Sequence, residues 1–109
     1  GRKKEVIFVG GFNVYPKEIE NVLSDHPDIL EAAVVGIPRG EEGETVKAYV
    51  VPKSGATLDP ENVIRYCRSK LTKYKVPREV EIRNALPRNT VGKLLKRVLI
   101  EEELARSGK

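Results

Sequence analysis

Methionine and tryptophan are absent from the 109 residues, and cysteine and histidine occur once each, as Cys67 and His26. A single cysteine excludes an internal disulfide, and one Cys with one His are too few ligands for a zinc site of the usual Cys/His kind. A hydrolase triad would have to be built on His26, and nothing in the sequence pairs with it. No apolar run approaches the roughly 18 to 20 residues that a membrane span takes. The chain starts Gly1-Arg2-Lys3-Lys4, with no Met and no apolar leader segment. These absences lead to the expectation of a soluble segment cut from a longer protein. What is present, 39% hydrophobic and 33% charged residues, suits one globular domain spanning 1–109.

The net charge of +4 is unevenly spread. Residues 18–62 carry ten acidic and three basic side chains, whereas residues 63–100 carry eleven basic and two acidic ones. A basic region of this kind invites an anionic partner: nucleic acid, a membrane surface or a phosphate-rich small molecule. It reads equally well as a solvated face of Lys and Arg.

Along the chain, Glu5 to Val9 is apolar and β-branched, Gly10-Gly11 interrupts, and Phe12 to Tyr15 resumes, the pattern of a short β-hairpin. Pro16 suits the first position of a helix with Glu18 and Glu20 in its opening turn, and Ile19, Val22 and Leu23 form its apolar stripe; His26-Pro27 ends it. Ile29–Ile37 and Thr45–Val51 read as strands that pair antiparallel across a Gly-rich acidic loop. Asp59-Pro60-Glu61 opens a second helix, with Val63, Ile64, Cys67 and Leu71 inward and Cys67 as packed core. Glu79–Arg83 alternates like a strand. Asn89 or Thr90 is expected to cap a last helix carrying Leu94, Leu95, Val98 and Leu99. The fold class is therefore α+β: about three main strands and an N-terminal hairpin, flanked by about three helices.

Three features suit chemistry. Lys93, after Gly92, is expected in the first turn of the last helix, where it reads as a solvated lysine or, with free N–H groups, the helix dipole and Arg88, as part of an anion site. Gly10-Gly11 could be a plain turn, or a place where a thin ligand approaches bare backbone. Arg65, Arg68, Lys70, Lys73, Lys75 and Arg78 interleave with Tyr66 and Tyr74, which would fit single-stranded nucleic acid or the phosphates and adenine of a nucleotide-like cofactor.

Taken together, GRKKEVIFVGGFNVYPKEIE (1–20), YKVP (74–77) and LPRNTVGKLLKRVL (86–99) resemble the small C-terminal domain of AMP-forming acyl-CoA synthetases, adenylate-forming ligases related to peptide-synthetase adenylation domains and luciferases. The resemblance spans the whole chain. It implies a mobile lid on a larger N-terminal domain that is absent here, with 1–4 as the interdomain hinge region. The implied reaction has two steps: a carboxylic acid and Mg2+-ATP give acyl-AMP, and the CoA thiol then displaces AMP.

By the same resemblance, Lys4 is the hinge position, Arg2 closes on the ribose side of ATP/AMP, and Lys93 meets the reacting carboxylate and α-phosphate. Gly10, Gly11 and Phe12 line the pantetheine tunnel, and Lys75 contacts CoA phosphates. In the acidic loop Glu42 stands where some relatives present an Arg to CoA. FNVYP favours a fatty or aryl acid ligase over a peptide-synthetase fragment, which is one alternative; a small basic nucleic-acid-binding module is the other. The Mg2+ is expected to be bound outside this domain, and the parent enzyme is expected to be cytoplasmic, without a transmembrane segment and with any membrane association peripheral.

Overall fold

The computed structural model describes residues 5–40 and 43–107. Strands β1 (Ile7–Val9) and β2 (Phe12–Val14) form the expected hairpin, with Ile7 opposite Val14 and Val9 opposite Phe12. Gly10 and Gly11 both take positive φ, +52° and +88°. Two consecutive residues of that kind make the tight turn whose twist matches the strands it joins, which favours glycine at both positions. Helix α1 (Pro16–Ser24) starts on its proline and buries Ile19 and Leu23.

Strand β3 (Ile29–Pro38) runs antiparallel to β4 (Glu44–Pro52), with a register shift between Ile29 and Glu31. Helix α2 (Pro60–Arg68) then carries the chain across to β5 (Glu79–Ile82), which pairs parallel with β4. The sheet order is β3-β4-β5, and the hairpin is a separate two-stranded sheet. Helix α3 (Lys96–Ser107) closes the described chain. The α+β class, three helices and two antiparallel hairpins agree with the sequence reading.

Strand alternation divides the core in two. On one face of the sheet Val34, Val46, Ala48 and Val50 pack with Ile7, Val14, Ile19, Leu23, Val63 and Cys67 from the hairpin, α1 and α2. On the other face Ala33, Val35, Ile37, Tyr49 and Val51 pack with Leu86 and with Leu99 of α3. Cys67 is fully buried, and burial pushes its thiol up to about 11, which makes it core and not a nucleophile. The outer edge of β3 is covered by a side chain: the Val34 N–H donates to Glu20 of α1 at 2.9 Å.

Two boundaries differ from the expectation. Helix α2 ends at Arg68, so Leu71 lies beyond it and is only half-buried. The last helix starts at Lys96 and not at Asn89 or Thr90, so Lys93 precedes the helix altogether. Gly92, at φ +88°, turns the chain in a way no helix permits.

Candidate functional site

Lys93 sits on a closed turn on the α3 face of the sheet. An isolated antiparallel bridge joins Arg88 to Leu94, and the Leu95 N–H donates to the Pro87 carbonyl at 2.9 Å. Within the turn, Asn89 accepts on Oδ1 from the N–H groups of Val91 (3.0 Å) and Lys93 (2.9 Å), and its own N–H donates to the Lys93 carbonyl. Asn89 thus satisfies backbone donors much as a helix cap would, without a helix following. The Arg88 guanidinium donates to the Gly92 carbonyl at 2.9 Å and pairs with Glu31 of β3.

This corrects the expected anion cradle. The N–H groups of Asn89, Val91, Gly92 and Lys93 and the Arg88 guanidinium are already engaged, and the N-terminus of α3 lies three residues further on. What the turn presents is the Lys93 ammonium alone, exposed and without an acidic partner among the described residues.

A charge cluster that the sequence reading missed fixes the C-terminal half of α3 to the sheet. Lys47, in the middle of β4, has a side chain only 6% exposed, and its ammonium reaches Glu103 of α3 at 2.7 Å and Glu81 of β5 at 3.0 Å. Arg39 joins Glu103 to Glu79, and Arg106 and Arg83 reach Glu81. Burial alone would lower the Lys47 pKa, but the hydrogen bonds that its ammonium donates to Glu103 and Glu81 outweigh it and leave the ammonium form favoured. The Lys47 ammonium, aided by Arg39, holds the Glu103 carboxyl below the usual range. Burial would raise Glu81, but Lys47 and Arg106 hold it low. Its sequence signal was a lysine in an otherwise apolar strand, TVKAYVV, facing an EVEI strand that carries two acids.

The opposite face carries the other candidate residues. Phe12, 52% exposed, stacks on Tyr74 with ring centroids 4.3 Å apart, next to Gly10-Gly11. Tyr74 belongs to a short 3-10 turn, Lys73–Lys75, whose Lys75 ammonium lies 3.0 Å from Glu18 of α1. That hydrogen bond raises the Lys75 pKa. A β-carbon placed on Gly10 or Gly11 would meet no atom within 4 Å, so the turn projects into open space. Beside it opens a cleft of about 880 Å³, lined by Val9, Ile64, Leu71, Tyr74, Val76 and Pro77 together with the cations Arg68, Lys73 and Arg78. None of these three cations has an acidic partner among the described residues.

The fold therefore brings Gly10, Gly11, Phe12 and Lys75 together and keeps Lys93 on the other side of the sheet. Arg2, Lys4 and Glu42 lie outside the described residues. No group of three His, Cys, Asp or Glu side chains among the described residues could hold a metal ion. No helix among them is long and apolar enough to cross a membrane.

Residues 18–93 match the model of the AMP-binding enzyme C-terminal domain. The chain belongs to that family. The C-terminal domain is 52% identical over 103 residues to the long-chain-fatty-acid–CoA ligase of Yersinia pestis, covering 94% of this chain and 18% of the relative. It is 50% identical over 102 residues to the Bacillus subtilis long-chain-fatty-acid–CoA ligase, again with 94% and 18% coverage. Among solved structures, ATP-bound MatB from Rhodopseudomonas palustris superposes with a TM-score of 0.86 at 45% identity, over 94% of this chain and 20% of that one. A fatty acyl CoA synthetase from Mycobacterium tuberculosis gives 0.82 at 40% identity, over 93% and 20%. The domain thus spans about a fifth of the length of the proteins it resembles.

Proposed function

We propose that the chain is the mobile lid of an acid–CoA ligase, acting in cis on an N-terminal domain that holds ATP and a carboxylic acid, most simply a fatty acid. Lys93 serves the first half-reaction. Its unpaired ammonium, carried on a turn braced by Asn89 and Arg88, offers fixed positive charge to the carboxylate and α-phosphate as negative charge develops and pyrophosphate leaves. It acts as an electrostatic stabiliser and transfers no proton. Arg2 would close on the ribose, and Lys4 would be the residue about which the lid turns.

The hairpin face serves the second half-reaction. The bare backbone of Gly10-Gly11 leaves a passage for the slender pantetheine arm, and Phe12 forms its wall, backed by Tyr74. Lys75 and the three cations of the adjoining cleft would meet CoA phosphates, with Lys75 exchanging Glu18 for phosphate. Mg2+ would neutralise ATP phosphates on the N-terminal domain; the described residues of this chain give it no seat, and no step here passes through it. A soluble, cytoplasmic parent is the setting in which these substrates occur.

The observation that carries this reading is the placement of the two candidate sets on opposite faces of one sheet, so that a single rotation exchanges one for the other. In the full-length ligase, Lys93→Ala should slow acyl-adenylate formation, read by ATP–pyrophosphate exchange, by about 10²- to 10³-fold. Thioester formation from supplied acyl-adenylate should be spared. Equal loss of both steps would refute the assignment.

A further inference from the structure

We infer that Lys96 is a positioning residue that sets the Lys93 turn against the segment leaving the hinge. The inference rests on the reading of Lys93 given above. Lys96 opens α3, three residues after Lys93, and its ammonium lies 2.7 Å from Glu5 Oε1 and 2.7 Å from Glu20 Oε2. Glu20 is itself fixed, because its Oε2 also accepts the Val34 N–H at the edge of β3. The Lys96 side chain, 18% exposed, thus reaches from the α3 face around the β3 edge to α1 on the other face. Glu5, the first described residue, immediately follows the hinge position Lys4.

The Lys93 turn is held at its entrance by Arg88 on Glu31 and by the buried Leu86. Its exit is held by Lys96. Both carboxylates that grip Lys96 come from outside α3, one from α1 and one from the chain leaving the hinge. The orientation of the turn is therefore coupled to the direction in which the chain enters the domain. Removing the ammonium frees the first turn of α3 while leaving Lys93 and its charge in place. An electrostatic stabiliser displaced by even an ångström forfeits much of its effect.

In the full-length ligase, Lys96→Ala should lower kcat for ATP–pyrophosphate exchange roughly 10- to 100-fold with little change in KM for ATP. CoA transfer from supplied acyl-adenylate should stay at its normal rate, and Lys96→Arg should restore most of the exchange activity. Normal exchange in Lys96→Ala, or an equal fall in both half-reactions, overturns the inference. Amide hydrogen exchange on the 109-residue chain separates it from the reading of Lys93. Lys96→Ala should speed exchange at the Val91 and Lys93 amides by about tenfold, whatever Lys93 does in catalysis. Unchanged exchange at those two amides overturns the tether. Undiminished pyrophosphate exchange in Lys93→Ala would strike the Lys93 reading alone, with the tether judged by the amides.

Discussion

The two faces of the sheet are built by different means. Under α3, cations and carboxylates are paired off: Lys47 with Glu103 and Glu81, Arg88 with Glu31, Lys96 with Glu5 and Glu20. Lys93 lies on the turn before α3, exposed and without an acidic partner among the described residues. On the hairpin face the packing is apolar and aromatic, a stacked Phe12–Tyr74 pair beside a cleft whose Arg68, Lys73 and Arg78 stay unpaired. One face carries an unpaired charge on a braced turn; the other offers several charges around a groove and a turn without side chains. A point charge serves a single developing negative charge, whereas a groove lined with cations serves a long ligand with several phosphates.

The strongest way to break this contrast is to remove the centre of the charged face. Lys47→Ala removes the buried cation between Glu103 and Glu81, leaving them only their arginine partners, and should destabilise the domain by about 3 kcal/mol, measured by denaturant unfolding. A loss under about 1 kcal/mol would mean that the cluster behaves like a surface salt bridge and that apolar packing alone docks α3.

Gly11→Leu tests the other face. Its side chain would enter open space, so the fold should survive at the modest cost of a left-handed backbone. In the full-length ligase the variant should lose about 100-fold, or about 2.7 kcal/mol of transition-state stabilisation, in CoA transfer while still forming acyl-adenylate. Thioester formation at the normal rate would remove the hairpin turn from the passage.

Acid gives a gentler version of the first break. Glu81 and Glu103 have depressed pKa values in the folded domain, so their contribution is complete above the unfolded value of about 4.3 and is lost as pH falls below it. Lys47, with its raised pKa, contributes in full until pH climbs towards its own range, far from this window. Thermal melts should therefore drop in Tm between about pH 4.5 and 3. The slope should be shallower in Lys47→Ala, and identical slopes in the two proteins would disconnect the acid response from this cluster.

Much of this architecture could be read from local pattern. The hairpin turn, the proline start of α1, the antiparallel β3–β4 pair and the buried Cys67 each follow from a short-range signal whose physics acts over a few residues. The start of α3 did not, because Asn89 can satisfy the same backbone donors in a cap or in an isolated turn; Gly92 at positive φ decides between them. Lys47 showed only as a lysine in an apolar strand, for another reason. Its partners lie 34 and 56 residues away, so only the tertiary fold shows that a lysine can be buried there. The roles of Gly10, Gly11, Phe12, Lys75 and Lys93 came from resemblance, and the geometry added which of them share a face. The importance of Lys96 rests on Glu5 and Glu20, distant in sequence and adjacent only once α1 and α3 flank β3.

The parallel pairing of β5 with β4 has a consequence for how the domain comes to be folded. An antiparallel neighbour such as β3 can zip onto β4 from a short loop, but β5 must wait for the whole α2 crossover before its first residue meets Lys47. Closing that longer loop should be the slow event, with the β3–β4 hairpin and α1 formed earlier. Glu79 and Glu81 arrive with β5, so until then Lys47 lacks two of its carboxylate neighbours. The late strand would thus supply the charges that complete the docking site of α3, leaving that helix among the last parts of the domain to become rigid.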